Sequence, residues 1–270
     1  MIGIFDSGIG GLTVAREIRK KIPSADILYF GDVARMPYGN KSPETVTEYS
    51  REIVRYLIGR GAETIVIACN TASAVAAAKL RREFSVPIFD VIAPAVSEAL
   101  RPMGRAPRAD RRIAVLGTRG TVGSGAYQKA LAAASKKVKV MALACPIFVP
   151  LVEEGYAGTA EGAEIVKHTL RPLVSRKPET LILGCTHYPL LRKEIRAVFP
   201  KARLVDSSAV ALDLRRDLFQ PMSRLGRGGK KTGRIEIVVT DLTPHFLRFA
   251  RKIIGSAAKI KKIGVERLNK

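Results

Sequence analysis

Short apolar runs rich in β-branched residues alternate along this chain with longer stretches of helical periodicity. That alternation constrains the fold more than any other feature. Strands are expected at Ile2–Phe5, Ile27–Phe30, Thr64–Ala68, Ile88–Val91, Ile113–Gly117, Val138–Leu143, Leu181–Leu183, Leu204–Val205 and Ile235–Thr240. Between them, Ser42-Pro43 reads as an N-cap with proline at the first helical position. Val46, Tyr49, Ile53 and Leu57 then recur at helical spacing, and Gly59 and Gly61 end the run. Strand–helix alternation of this kind specifies βαβ units and mainly parallel sheets. Ligands in such folds sit beyond the carboxyl ends of strands.

A weak internal repeat divides the chain. Ile65-Val66-Ile67-Ala68-Cys69-Asn70-Thr71 resembles Leu181-Ile182-Leu183-Gly184-Cys185-Thr186-His187. Upstream, Ile4-Phe5-Asp6-Ser7-Gly8 has a counterpart in Val115-Leu116-Gly117-Thr118-Arg119-Gly120. Two related α/β halves are therefore expected, each opening with a strand and polar turn and each later presenting a cysteine. If their strand ends face one another, the cysteines meet across a cleft. Residues 101–110 and 226–231, charged and rich in Gly or Pro, read as a linker and a surface loop.

With 270 residues, 47% of them hydrophobic, the chain can bury one large or two ordinary cores. The first residues show no basic region before an apolar run, and no stretch of about 18 apolar residues occurs, so neither a secretory signal nor a membrane span is expected. Three cysteines without a CxxC pair argue against a disulfide framework or a zinc knuckle and for reduced thiols in a cytoplasmic protein. The formal charge is +22, and residues 211–270 hold fifteen Lys and Arg against five Asp and Glu. Solvated surface charge is the favoured reading, because no nucleic-acid-binding motif accompanies it.

Cys69 and Cys185 each stand where a strand gives way to a helix, a place where backbone N–H groups favour a thiolate. Singly, each would be read as a small buried hydrophobe. Two in matching contexts point to chemistry. Cys145, before Pro146, has no such repeat and reads as structural. His187, two residues after Cys185, reads as a hydrogen-bond partner or proton relay. The turn Asp6-Ser7-Gly8-Ile9-Gly10-Gly11-Leu12-Thr13 is not a dinucleotide fingerprint, because Thr13 stands where the third glycine is needed. Asp6 at a strand end suits acid/base work or a substrate ammonium. Ser7, Asn70, Thr71 and Thr186, with backbone N–H groups after Pro37, suit carboxylate oxygens. Glu153 and Glu154 read as exposed helical glutamates.

These motifs resemble the glutamate racemase family. The residues that carry the likeness are Phe5–Leu12, Pro37-Tyr38-Gly39, Ala68–Ser73, Cys145–Gly155 and Leu183–Leu190, in that order over nearly the whole chain. The resemblance implies racemisation of L- and D-glutamate without a cofactor or metal, supplying D-glutamate for peptidoglycan. It implies two doubly wound domains with the active site between them: residues 1–96 with 208–255, then 97–207, with 256–270 as a basic tail. Cys69 and Cys185 become the two acid/base thiols, with Asp6, His187 and Glu153 as supporting polar groups. Substrate contacts fall on Asp6, Ser7, Pro37, Tyr38, Gly39, Asn70, Thr71, Thr118, Thr121, Thr186 and His187. A homodimer is implied. Two rivals stay open: racemisation of aspartate or another amino acid, and a secondary role in binding DNA or DNA gyrase.

Overall fold

The computed structural model describes residues 1–102, 111–214, 232–255 and 259–268. Most of the expected linker and all of the expected loop at 226–231 lie outside these. The chain begins β1 (Ile2–Asp6), α1 (Leu12–Lys21), β2 (Ile27–Gly31), α2 (Pro43–Gly59), β3 (Thr64–Ile67), α3 (Asn70–Val75), α4 (Ala77–Glu83), β4 (Ile88–Asp90) and α5 (Ile92–Leu100). It continues with β5 (Arg111–Gly117), α6 (Arg119–Gly123), α7 (Ala126–Ala134), β6 (Val138–Ala144), α8 (Phe148–Glu153), α9 (Ala160–Val174), β7 (Thr180–Gly184), α10 (Arg192–Val198) and β8 (Arg203–Asp206). Last come α11 (Val210–Leu214), β9 (Ile235–Val239), α12 (Pro244–Ile254) and β10 (Lys259–Lys262).

Among the described residues two sheets form, in the orders β10-β9-β2-β1-β3-β4 and β6-β5-β7-β8, and every pairing among them is parallel. The shared order 2-1-3-4 and 6-5-7-8 matches the internal repeat: β1 corresponds to β5 and β3 to β7. Strands β1, β2, β3 and β7 are buried throughout. Helices cover both faces of such sheets, which is why these strands read as unbroken apolar runs. Alternate residues feed opposite faces: Ile2 and Ile4 join one core, Phe5 the other. In the second sheet Leu181 and Leu183 pack on one side and Ile182 on the other.

Local signals explain the helices. Ser42 accepts from the Thr45 N–H at 3.2 Å and Pro43 opens α2. Val46, Ile53 and Leu57 of that helix are fully buried, and Gly61 follows it at φ +88°. Two segments differ from expectation. Helix α5 packs as a unit against the second sheet, with Ile92, Ala95, Val96 and Ala99 beside Ile113, Val115 and Ile182, so it is not divided near residue 96. The expected basic tail instead returns to the first sheet: β10 pairs with β9, and Leu268 is buried in the first half's core. Lysines at 259, 261 and 262 keep this edge strand polar, a device that blocks edge-to-edge pairing and hides the strand from a hydrophobic pattern. Among the described residues, no helix is long and apolar enough to cross a membrane.

Candidate active site

In each sheet the chain runs from the central strand to one neighbour and then crosses to the other side. That switch opens a crevice at the strands' carboxyl ends. In the first sheet it lies between β1 and β3, in the second between β5 and β7. Asp6 ends β1, and Cys69 follows β3 as the residue before α3. Thr118 follows β5, where its hydroxyl caps α6 by accepting from the Thr121 N–H at 3.1 Å. Cys185 follows β7. The two crevices face each other. One small cavity of about 20 Å³, room for roughly a single water, is lined by Ser7, Met36, Pro37, Tyr38, Gly39, Cys69, Asn70, Thr71, Thr118, Val149, Cys185, Thr186 and His187.

On the first side, Asp6 is fully buried. Its carboxylate accepts from the Gly8 N–H at 3.1 Å and from the Thr186 hydroxyl of the opposite half at 3.2 Å. Burial raises the carboxyl above the ordinary range, against the opposing pull of His187 and backbone N–H groups. The Cys69 thiol donates to the Ser7 hydroxyl, with Sγ and Oγ 3.7 Å apart. Burial, reinforced by the Asp6 charge, pushes this thiol up to about 12. On the second side, Cys185 Sγ lies 3.9 Å from His187 Nδ1, and His187 Nε2 lies 3.0 Å from Glu153 Oε1. Burial pulls the imidazole down, but the hydrogen bonds to Cys185 and Glu153 outweigh it and push His187 up to about 10. Glu153 is thus not the free helical glutamate its local sequence suggests.

Residues 12–214 match the model of the Asp/Glu/Hydantoin racemase family. A glutamate racemase of Aquifex aeolicus is 42% identical over 96% of each chain. The crystal structure of a Bacillus anthracis glutamate racemase isoform superimposes with a TM-score of 0.89 at 34% identity, covering 98% of this chain and 97% of the other. That of the Francisella tularensis glutamate racemase, a complex with D-glutamate, gives 0.87 at 29% identity over 98% of each. The chain belongs to the Asp/Glu/Hydantoin racemase family.

Within this racemase fold, the expected site residues gather at one place in two tiers. Most line the cavity, while Asp6, Thr121 and Glu153 stand behind lining residues and bond to them. Thr71 and Thr118 share a hydroxyl hydrogen bond of 2.9 Å across the halves, and Thr121 approaches Thr71 at 3.2 Å. The remaining support was not legible beforehand. Asn70 donates from Nδ2 to the Ser207 hydroxyl at 2.8 Å and accepts at Oδ1 from the Tyr127 hydroxyl at 2.7 Å. Its amide is therefore held in one orientation. The Tyr38 hydroxyl donates to the fully buried Asp32, which also accepts from Arg35 Nε at 2.7 Å and from Thr240 at 3.0 Å. Met36 and Val149 supply apolar wall. Nothing local marked Tyr127, Ser207 or Val149.

Proposed function

We propose that this chain interconverts L- and D-glutamate by two-base proton transfer at Cα, with Cys69 and Cys185 as the two thiols. One observation carries the reading: equivalent strand ends of two topologically matched sheets bring both cysteines to one cavity, from opposite halves. Inversion of a stereocentre by proton transfer needs a base on one face and an acid on the other, and this arrangement suits it. The relatives named above as glutamate racemases, one in complex with D-glutamate, support glutamate over aspartate as substrate.

His187, pushed up to about 10, holds a proton beside Cys185, and Glu153 anchors the imidazolium. Cys69 rests as thiol. L-glutamate is then met by a base at Cys185 and an acid at Cys69. Cys185 takes the Cα proton, and Cys69 delivers its own to the other face. For D-glutamate the roles exchange: Cys69 passes its proton to Asp6, whose burial favours one, and takes the Cα proton, while His187 gives its proton to Cys185, which delivers it to the other face. The ammonium of the substrate lies toward Asp6 and Ser7. Hydroxyls of Thr71, Thr118 and Thr186 and backbone N–H groups receive its carboxylates, where charge builds as the carbanion forms. Each positioned acid or base contributes about 10²–10⁴ in rate. A cavity of this size admits glutamate only after the two halves separate. The product supplies peptidoglycan synthesis in the cytoplasm, and the enzyme works as a homodimer.

The test uses purified reduced protein and L-glutamate in D₂O with no added cofactor. Optical rotation is expected to decay to zero as deuterium enters Cα. Constant rotation and an unlabelled Cα, with thiols verified as reduced, would refute the reading.

A further inference from the structure

The glycine-rich turn after β1 does not match a dinucleotide fingerprint, and proton transfer gives its glycines no task. Backbone freedom does not explain them either. Glycines with positive φ among the described residues are Gly61, Gly125, Gly155, Gly158 and Gly255. Gly10 and Gly39 are not among them, so a need for positive φ does not explain them and something else excludes a side chain there.

What excludes it is the opposite half of the molecule. A Cβ on Gly10 would stand 2.5 Å from Thr186 Oγ1, 2.8 Å from His187 Nδ1 and 2.9 Å from the Thr186 carbonyl carbon. On Gly39 it would stand 2.5 Å from Thr118 Cβ and 2.7 Å from Thr118 Cγ2. Thr118 directly follows β5, and Thr186 lies two residues past the end of β7. The two central strands of the second sheet therefore each lead into a turn seated on a bare glycine of the first half. Gly120 returns the contact, since a Cβ there would lie 3.0 Å from Thr71 Cγ2. Gly11 is different: its Cβ would strike Asp6 Cβ at 2.4 Å, within its own half.

We propose that Gly10 and Gly39 are closure stops, positioning residues whose missing side chains set how near the two halves approach and hence the gap between Cys69 and Cys185. The inference rests on the two-thiol reading above. An alanine at either position must push the facing turn back by roughly an ångström, a displacement that can cost about 10²-fold when reacting groups lose alignment. Thr118 Cβ cannot swing aside, and behind Thr186 Oγ1 the obstacle is backbone. A cleft wedged open leaves each thiol beside its own face of Cα while the opposite thiol falls out of reach. Proton abstraction then outlives inversion.

The experiment compares full-length wild type, Gly10→Ala, Gly39→Ala and Gly59→Ala, the last at a site where an added Cβ meets nothing within 4 Å. Readouts are kcat and KM for both enantiomers and, in D₂O, the ratio of Cα exchange with retention to exchange with inversion. Gly10→Ala and Gly39→Ala are expected to lose on the order of 10²-fold in kcat and to raise that ratio, with Gly59→Ala unchanged. Adding Thr118→Gly to Gly39→Ala removes the obstructing Cβ. The double variant should lose about tenfold less than the product of the two single losses. Alanine variants within about twofold of wild type, or losses with neither a changed ratio nor coupling to Thr118→Gly, overturn the inference while leaving the racemase reading intact. A wild type that does not racemise sinks that reading, and this one with it. Should Gly10→Ala fail to fold, the Gly39–Thr118 pair decides alone.

Discussion

Cys69 and Cys185 carry one side chain in two electrostatic settings. Cys69 is buried beside a carboxylate and keeps its proton, its thiol pushed up to about 12. Cys185 faces an imidazole that Glu153 helps keep protonated. Cys69→Ser and Cys185→Ser are each expected to lower kcat/KM for racemisation by at least about 10²-fold, read by polarimetry. Cys145→Ala should racemise normally. A second expectation concerns pH. His187 is pushed up to about 10 from an ordinary 6.5. A histidine pKa raised on folding contributes stability that is fully present below about pH 6.5 and is lost as pH rises through about 10. Glu153→Gln removes one of the partners that raise it, so this loss shifts to lower pH. Urea midpoints across that window, and the alkaline limb of the kcat/KM profile for L-glutamate, report the shift. Unchanged profiles would mean that Glu153 does not govern His187.

Elements differ in how plainly their sequences announce them. Strands β1, β3 and β7 could be placed from composition because both their faces are buried and their runs are uniformly apolar. Helix α2 was equally plain, since Ser42, Pro43 and a periodic apolar face are local signals. Strand β10 was not. Lys259-Ile260-Lys261-Lys262 carries no apolar pattern, and only the free edge of β9 makes it a strand. Its segment matters to the fold through Leu268, 5% exposed in the first half's core. Leu268→Ala is expected to cost about 2–5 kcal/mol, measured as a lower urea midpoint. A pendant tail would tolerate the change within a few tenths of a kcal/mol.

At the scale of the molecule, the site exists only where two sheets that share a four-strand order face each other. Asn70, in the first half, is held by Tyr127 from the second and by Ser207 from the chain that leads back. Tyr127→Phe leaves a buried amide oxygen without its donor, at a cost of about 1–3 kcal/mol. Because the lost bond spans the two halves, KM for glutamate should rise as well. A variant that is destabilised while KM holds would show that this bond supports the fold alone.

The sequence by itself determined the α/β class, nine strands to within two residues at either end, the internal repeat and the pairing of Cys69 with Cys185 as equivalent positions. Each of these is written in short-range patterns: alternation, periodicity, and a polar residue directly after an apolar run. The tertiary structure decided what no short window encodes. Asn70 and Ser207 are 137 residues apart, and Glu153 and His187 are 34. It also decided that Gly10 and Gly39 are glycines for the sake of the facing half rather than for their own backbone. Such contacts depend on the relative placement of two separately packed sheets, and that placement is set by shape and hydrogen bonding across the cleft.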